Sequence, residues 1–138
     1  MMQLLNAFSA EQQAIAIYEA QVFWRQGSSG AIFRKILKEE RDHRLGIEPY
    51  FNHPWVKGVI SPFNILAGWV LGTVLSILPR RWCYEIHVWA ETQAAETYEN
   101  TAQSLPIGAP QVLRDVLAHA AKQEHEHARQ FSLLVKQL

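Results

Sequence analysis

Cysteine is almost missing from this chain: Cys83 is the only one in 138 residues. An internal disulfide framework and any cysteine-based zinc or iron–sulfur centre within one chain are thereby excluded, and a reducing compartment is expected. A surplus of either charge is missing too, since thirteen basic and thirteen acidic residues give a formal net charge of zero. Nucleic acid, which needs a basic face, drops out as a partner. The N-terminal MMQLLNAFSAEQQ has no basic segment followed by an apolar run, so no cleaved secretion signal is expected. Alternation of apolar and polar positions, the signature of strands, is essentially missing. Glycines and prolines fall where helices should break.

What is present is apolar residues, 49% of the chain, at helical spacing. That is enough to bury the core of a single domain, residues 1–138. A first helix is predicted from about Leu4 to Arg25, broken by GSSG at Gly27–Gly30. A second runs from about Ser29 to Phe51, apolar at Ile32, Phe33, Ile36, Leu37 and Ile47, and stops before His53–Pro54. Ser61 as cap and Pro62 at the first helical position start a third, which ends at Pro79. Arg81 to about Gln103 forms a fourth, ended by LPIGAP, and Pro110 opens a fifth. The fold class is all-α: four long helices in a bundle, with an extra apolar helix joining the two halves. Val59 to Leu78 is twenty residues without a charge, long enough to reach across a bilayer. Pro62, Asn64 and two glycines favour instead a helix lying at a membrane surface, a buried helix or a face awaiting a partner.

Two short strings carry the chemistry. In KEERDH, Glu40 and His43 are three apart, and in KQEHEHA so are Glu124 and His127. That spacing puts each pair on one helix face, able to reach one point. Di-iron bundles pair such Glu-x-x-His motifs with single glutamates from the two other helices. Glu11 and Glu91 supply those, each seven residues, or two turns, before a tyrosine, Tyr18 or Tyr98. The chain is thus an approximate repeat, Glu11–Tyr18–Glu40–His43 followed by Glu91–Tyr98–Glu124–His127. Four carboxylates would neutralise two divalent irons, with two imidazoles completing the shells and positions left open for dioxygen; manganese suits the same ligands. Asp42 and Glu126, each preceding its histidine, are candidates to orient the histidine of the opposite half. Taken singly, the bland readings compete: Glu11 near a helix start favours the macrodipole, Glu40 and Glu124 belong to charge runs, and the tyrosines are core residues. The sixfold pattern outweighs them for the ligands.

The residues also resemble the demethoxyubiquinone hydroxylase family, ferritin-like di-iron carboxylate enzymes of ubiquinone biosynthesis. AEQQAIAIYEAQ, EERDH, PFNILAGWVLGTVLSIL, WAETQAAETY and EHEH resemble its successive segments over nearly the whole chain. Departures fall at Ala10, Gln123 and Ala128, and the chain stops about ten residues after His127, where typical members continue. The resemblance implies a ferritin-like bundle and a monooxygenase that hydroxylates a lipophilic polyprenyl benzoquinol, with NADH as ultimate reductant. It implies Glu11, Glu40, His43, Glu91, Glu124 and His127 as ligands of two Fe ions, with Tyr18 and Tyr98 as hydrogen-bond donors or electron relays beside them. Peripheral association with the cytoplasmic side of the inner membrane through residues 59–78 is expected, with a homo-oligomer allowed. A ferritin-like or rubrerythrin-like oxidase or peroxide scavenger is the alternative using the same ligands. A helical interaction module, its metal site purely structural, is a third.

Overall fold

A computed structural model describes residues 2–51 and 56–138. Five α-helices account for most of them: α1 Met2–Trp24, α2 Ala31–Ile47, α3 Ser61–Ile77, α4 Arg80–Ser104 and α5 Gln111–Lys136. No strand occurs among the described residues, so the chain has the all-α architecture expected of the ferritin-like class. The predicted helix boundaries agree with these to within a few residues, except that short 3-10 turns at Gly27–Gly30 and Glu48–Phe51 flank α2. The stop placed at His53–Pro54 lies outside the described residues. The chain divides into two compact units, Phe8–Ile77 and a second formed chiefly by Leu78–Leu138. Each unit holds one half of the sequence repeat.

In the first unit, α1 ends where Gly27 turns the chain with φ of +71°, a conformation that glycine adopts without strain. Three residues later, Gly30 is needed for room. A Cβ there would lie 1.9 Å from the backbone oxygen of Arg25. The single turn of 3-10 helix then delivers α2 with Phe33, Ile36, Leu37, Glu40, His43 and Ile47 on its buried side. Arg25 is itself buried, donating from Nη2 to the Leu75 carbonyl at 3.2 Å while its guanidinium stands 6.0 Å above the Phe33 ring. Gly30→Ala is expected to cost about 1–3 kcal/mol, because overpacking against backbone exceeds the roughly 0.5–1 kcal/mol gained from a stiffer unfolded chain. Urea denaturation measures it, and an unchanged midpoint would contradict it.

The third helix enters differently from the sequence reading. Val56–Ile60 forms a π turn that runs directly into Ser61. Helical backbone therefore already precedes Ser61, and its hydroxyl is not the expected cap; it accepts from Gln12 Nε2 at 2.7 Å. Asn64 Nδ2 lies 3.5 Å from the same amide's Oε1, so Gln12 links two residues of α3. Asn64, Gly68, Gly72 and Leu75 form the buried stripe of α3, four, four and three residues apart. The packing is close: a Cβ on Gly68 would lie 2.6 Å from Ala16 Cβ, and one on Gly72 would lie 2.4 Å from the Ile17 carbonyl oxygen. Most large side chains of α3 other than Leu75 consequently point outward, with Phe63 70% and Ile77 80% exposed and Leu66 and Val70 close behind.

In the second unit, α4 and α5 pack against each other. Prolines 79 and 110 stand at their N-cap positions, where no amide hydrogen is needed, and their carbonyls accept from Cys83 and from Leu113 and Arg114. The end of α4 is closed by Arg114, whose guanidinium donates to the carbonyls of Ala102, Leu105 and Pro106. The carbonyls of Ala102 and Leu105 lie at the helix C-terminus, where intrahelical donors run out. Tyr84, Tyr98, Leu113, Leu117 and Phe131 are the large buried apolar residues here.

Candidate metal centre

Each unit contains one buried triad of two glutamates and a histidine. In the unit Phe8–Ile77, α1 supplies Glu11, and α2 supplies Glu40 and His43 from adjacent turns. His43 Nδ1 lies 3.4 Å from Glu11 Oε1 and 3.6 Å from Glu40 Oε2. In the other unit, α4 supplies Glu91, and α5 supplies Glu124 and His127. His127 Nδ1 lies 3.3 Å from Glu91 Oε2 and 3.2 Å from Glu124 Oε2. Within each triad one ligand atom of every residue lies within 4.8 Å of the others. None of the six residues is more than 5% exposed.

The local sequence explains the convergence. Glu40 and His43 share the α2 face that carries Phe33, Ile36 and Ile47, and Glu124 and His127 share the α5 face that carries Leu117, Ala120 and Phe131. The apolar stripe that makes each helix a core helix therefore also carries its ligands inward. Two carboxylates beside one imidazole, removed from water, form a costly arrangement unless a cation or protons compensate the charge. The spacings suit a cation. Two metal–ligand bonds of ~2.1 Å that meet at a right or tetrahedral angle place their donors about 3.0–3.4 Å apart. The donor set, hard carboxylate oxygens with one imidazole nitrogen, fits iron or manganese.

Tyr18 and Tyr98, each two turns after its glutamate, are both buried, and the Tyr18 ring lies 6.2 Å from that of Phe33. Asp42 and Glu126, each next to its histidine in sequence, lie towards the outer side of their helices. Asp42 is exposed. Glu126 is partly exposed and receives both Nε and Nη2 of Arg129, at 2.7 and 2.6 Å, together with Gln130 Nε2. That hydrogen bonding, with the carboxylate charge, holds the Arg129 guanidinium above its ordinary pKa. The reason is helical geometry: a residue adjacent to an inward-facing histidine is turned ~100° away from it.

The other histidines divide between surface and interior. His119 is exposed, and exposed His125 lies 2.9 Å from Glu99 Oε1, whereas His53 falls outside the described residues. His87, one turn before Glu91, is only 3% exposed and stacks on Phe131 with centroids 4.6 Å apart and planes at 15°. The sequence reading also passed over Gln12 as a buried residue. The signal available for it was Asn64, a polar residue inside an apolar run, which needs a polar partner once buried.

The family model described as ubiquinone biosynthesis protein COQ7 matches residues 8–130. No curated protein and no solved structure matches the chain.

Proposed function

The chain belongs to the COQ7 family of ubiquinone biosynthesis proteins, and from that premise we propose that it is a non-haem di-iron monooxygenase. Its substrate is a demethoxyubiquinone-type polyprenyl benzoquinol, hydroxylated at the surface of a membrane. The observation that carries this reading is the recurrence of one buried triad in both halves of a chain matched along nearly its full length. The six residues would hold two irons, which would supply a redox centre and the dioxygen activation that no side chain of this protein supplies.

The protein's own residues have defined tasks. Glu11, Glu40, Glu91 and Glu124 bring four negative charges to balance two divalent ions, and His43 and His127 bind through Nδ1. Burial of all six keeps bulk water from competing with ligands and substrate. Tyr18 and Tyr98 donate hydrogen bonds near the ligands or relay an electron to them, with NADH as ultimate reductant.

A lipophilic substrate is favoured over the peroxide or ferrous iron of a rubrerythrin-like or ferritin-like oxidase by the outward face of α3. Gly58–Ile77 is long and apolar enough to cross a membrane, yet little of it is buried in the protein. Beside it, half-exposed Phe23 and Trp24 stack edge to face at 4.9 Å, Phe23 meets Trp69 at 5.9 Å, and Trp24 Nε1 donates to Thr73 Oγ1. Such amphipathic rings favour a membrane–water boundary. The protein therefore docks peripherally, on the cytoplasmic side of the inner membrane, where a polyprenyl quinol partitions.

Metal analysis and oxygen uptake test the reading together. Protein from iron-replete cells is expected to carry about two irons per chain and to consume oxygen when a reduced demethoxyquinol is added. Iron-loaded protein that oxidises ferrous iron or consumes peroxide but leaves the quinol untouched would move the assignment to the oxidase. Manganese in the purified protein, with activity restored only by that metal, would change the metal.

A further inference from the structure

The opening turns of α4 carry an exposed apolar face for which the metal centre has no use. Trp82, Ile86 and Trp89 stand at positions i, i+4 and i+7, and with Glu85 they line one shallow surface groove. Outward positions further along α4, Gln93 and Glu96, are polar. The patch is therefore confined to about 10 Å of helix, Trp82 to Trp89. Immediately before it stand the exposed Arg80 and Arg81, the latter paired with Glu85 at 3.0 Å. No acidic residue occupies the first turn of α4.

We infer that this face is a second membrane contact, in which Trp82, Ile86 and Trp89 enter the headgroup region of an anionic bilayer and Arg80 and Arg81 pair with lipid phosphates. It rests on the reading that the protein works at a membrane. Three observations select a membrane over a second copy of the chain. The first is area: Trp82 is 60% exposed, Ile86 38% and Trp89 67%. With about 250 Å² for a whole tryptophan, the three together offer roughly 400 Å². That is half of the ~800 Å² per partner in a stable dimer. The second is chemistry, because two exposed indoles flanking an isoleucine are amphipathic groups of the kind that favour a membrane–water boundary. The third is charge. Arg80, Arg81 and Glu85 leave a positive excess at the edge of the patch, complementary to an anionic surface.

Flotation of the iron-loaded full chain with phosphatidylcholine vesicles, with and without phosphatidylglycerol, tests the inference. The wild type is expected to bind both and to bind the anionic vesicles more tightly. The R80Q/R81Q variant is expected to lose most of that difference, roughly fivefold for one arginine and up to about twenty-five-fold for two. Glu85 already engages Arg81, so the smaller figure is the nearer one. W82S/W89S is expected to weaken binding to both vesicle types by about tenfold, and these exposed substitutions should leave helical circular dichroism unchanged. Wild-type binding by both α4 variants, alongside loss of binding in an α3 variant, F63S/L66S, would overturn the inference while leaving α3 docking intact. A wild type that floats with neither vesicle overturns both. Conversion of a dimer to a monomer by W82S/W89S, with vesicle binding unchanged, would assign the face to a second copy and overturn it as well.

Discussion

Glu124→Ala is expected to lower bound iron well below two per chain and quinol-dependent oxygen uptake by at least ~100-fold. Loss of a group that merely orients a ligand already costs 10–100-fold, and a direct ligand should cost more. The triad explains the expected stoichiometry. Without Glu124, Glu91 and His127 are left with two of the three donors of their triad. Stability should move the other way once metal is removed. Glu124 is only 1% exposed, so its charge is carried into the folded state at a cost. Metal-stripped Glu124→Gln should therefore be more stable than the metal-stripped wild type, on the order of 1 kcal/mol or more. Asp42→Ala, at an exposed position beside the other triad, should change neither iron content nor stability appreciably. Iron analysis with thermal melts of both forms distinguishes these outcomes, and an unaltered iron content in Glu124→Ala would remove Glu124 from the ligand set.

The second large effect concerns how α3 is held. Gly→Ala within a helix ordinarily stabilises by roughly 0.5–1 kcal/mol, because glycine loses more backbone freedom on folding. At Gly68 and Gly72 the sign should reverse. A Cβ on Gly72 would sit 2.4 Å from the backbone oxygen and 2.9 Å from the Cα of Ile17, and neither can move without moving α1. Gly68→Ala with Gly72→Ala is expected to cost about 2–6 kcal/mol, the sum of two overpacked sites. Gly58→Ala is the matched control, since nothing lies within 4 Å of its added Cβ, and it should be neutral or slightly stabilising. Urea titration of the three proteins measures this; a double variant as stable as the wild type would show that the two helices separate at little cost.

Much of this was legible in the sequence because one periodicity carries two kinds of information. The 3.6-residue repeat that marks Phe33, Ile36 and Ile47 as core also places Glu40 and His43 inward, so fold and ligands were read from the same positions. Pro79 marked a helix end and Pro110 a helix start, because a residue without an amide hydrogen is cheap only at a helix boundary. What escaped depends on neighbours distant in sequence. Ser61 looks like a cap until a π turn precedes it and Gln12 reaches its hydroxyl. The ion pair of Glu126 with Arg129, one turn on, was not read from the charge pattern. Gly30 reads as part of the helix-breaking GSSG, and only the approach of the Arg25 carbonyl shows that it is needed for room. The outward face of α3 was visible as an apolar run, but which side of that run touches protein was not, since apolar residues occur all around the helix.

The seam between α1 and α3 has a consequence for the solvent in which this protein can live. Its contacts are glycine against backbone and alanine, joined by the amide of Gln12, with few large apolar groups withdrawn from water. A seam of that kind draws little strength from water's aversion to hydrocarbon and much from close contact and hydrogen bonding, as do helix pairs inside lipid. Moving the outer side of α3 from water into acyl chains should leave the seam nearly indifferent. The unit can change its surroundings without changing its shape, a property that a helix anchored by a leucine-filled interface would lack.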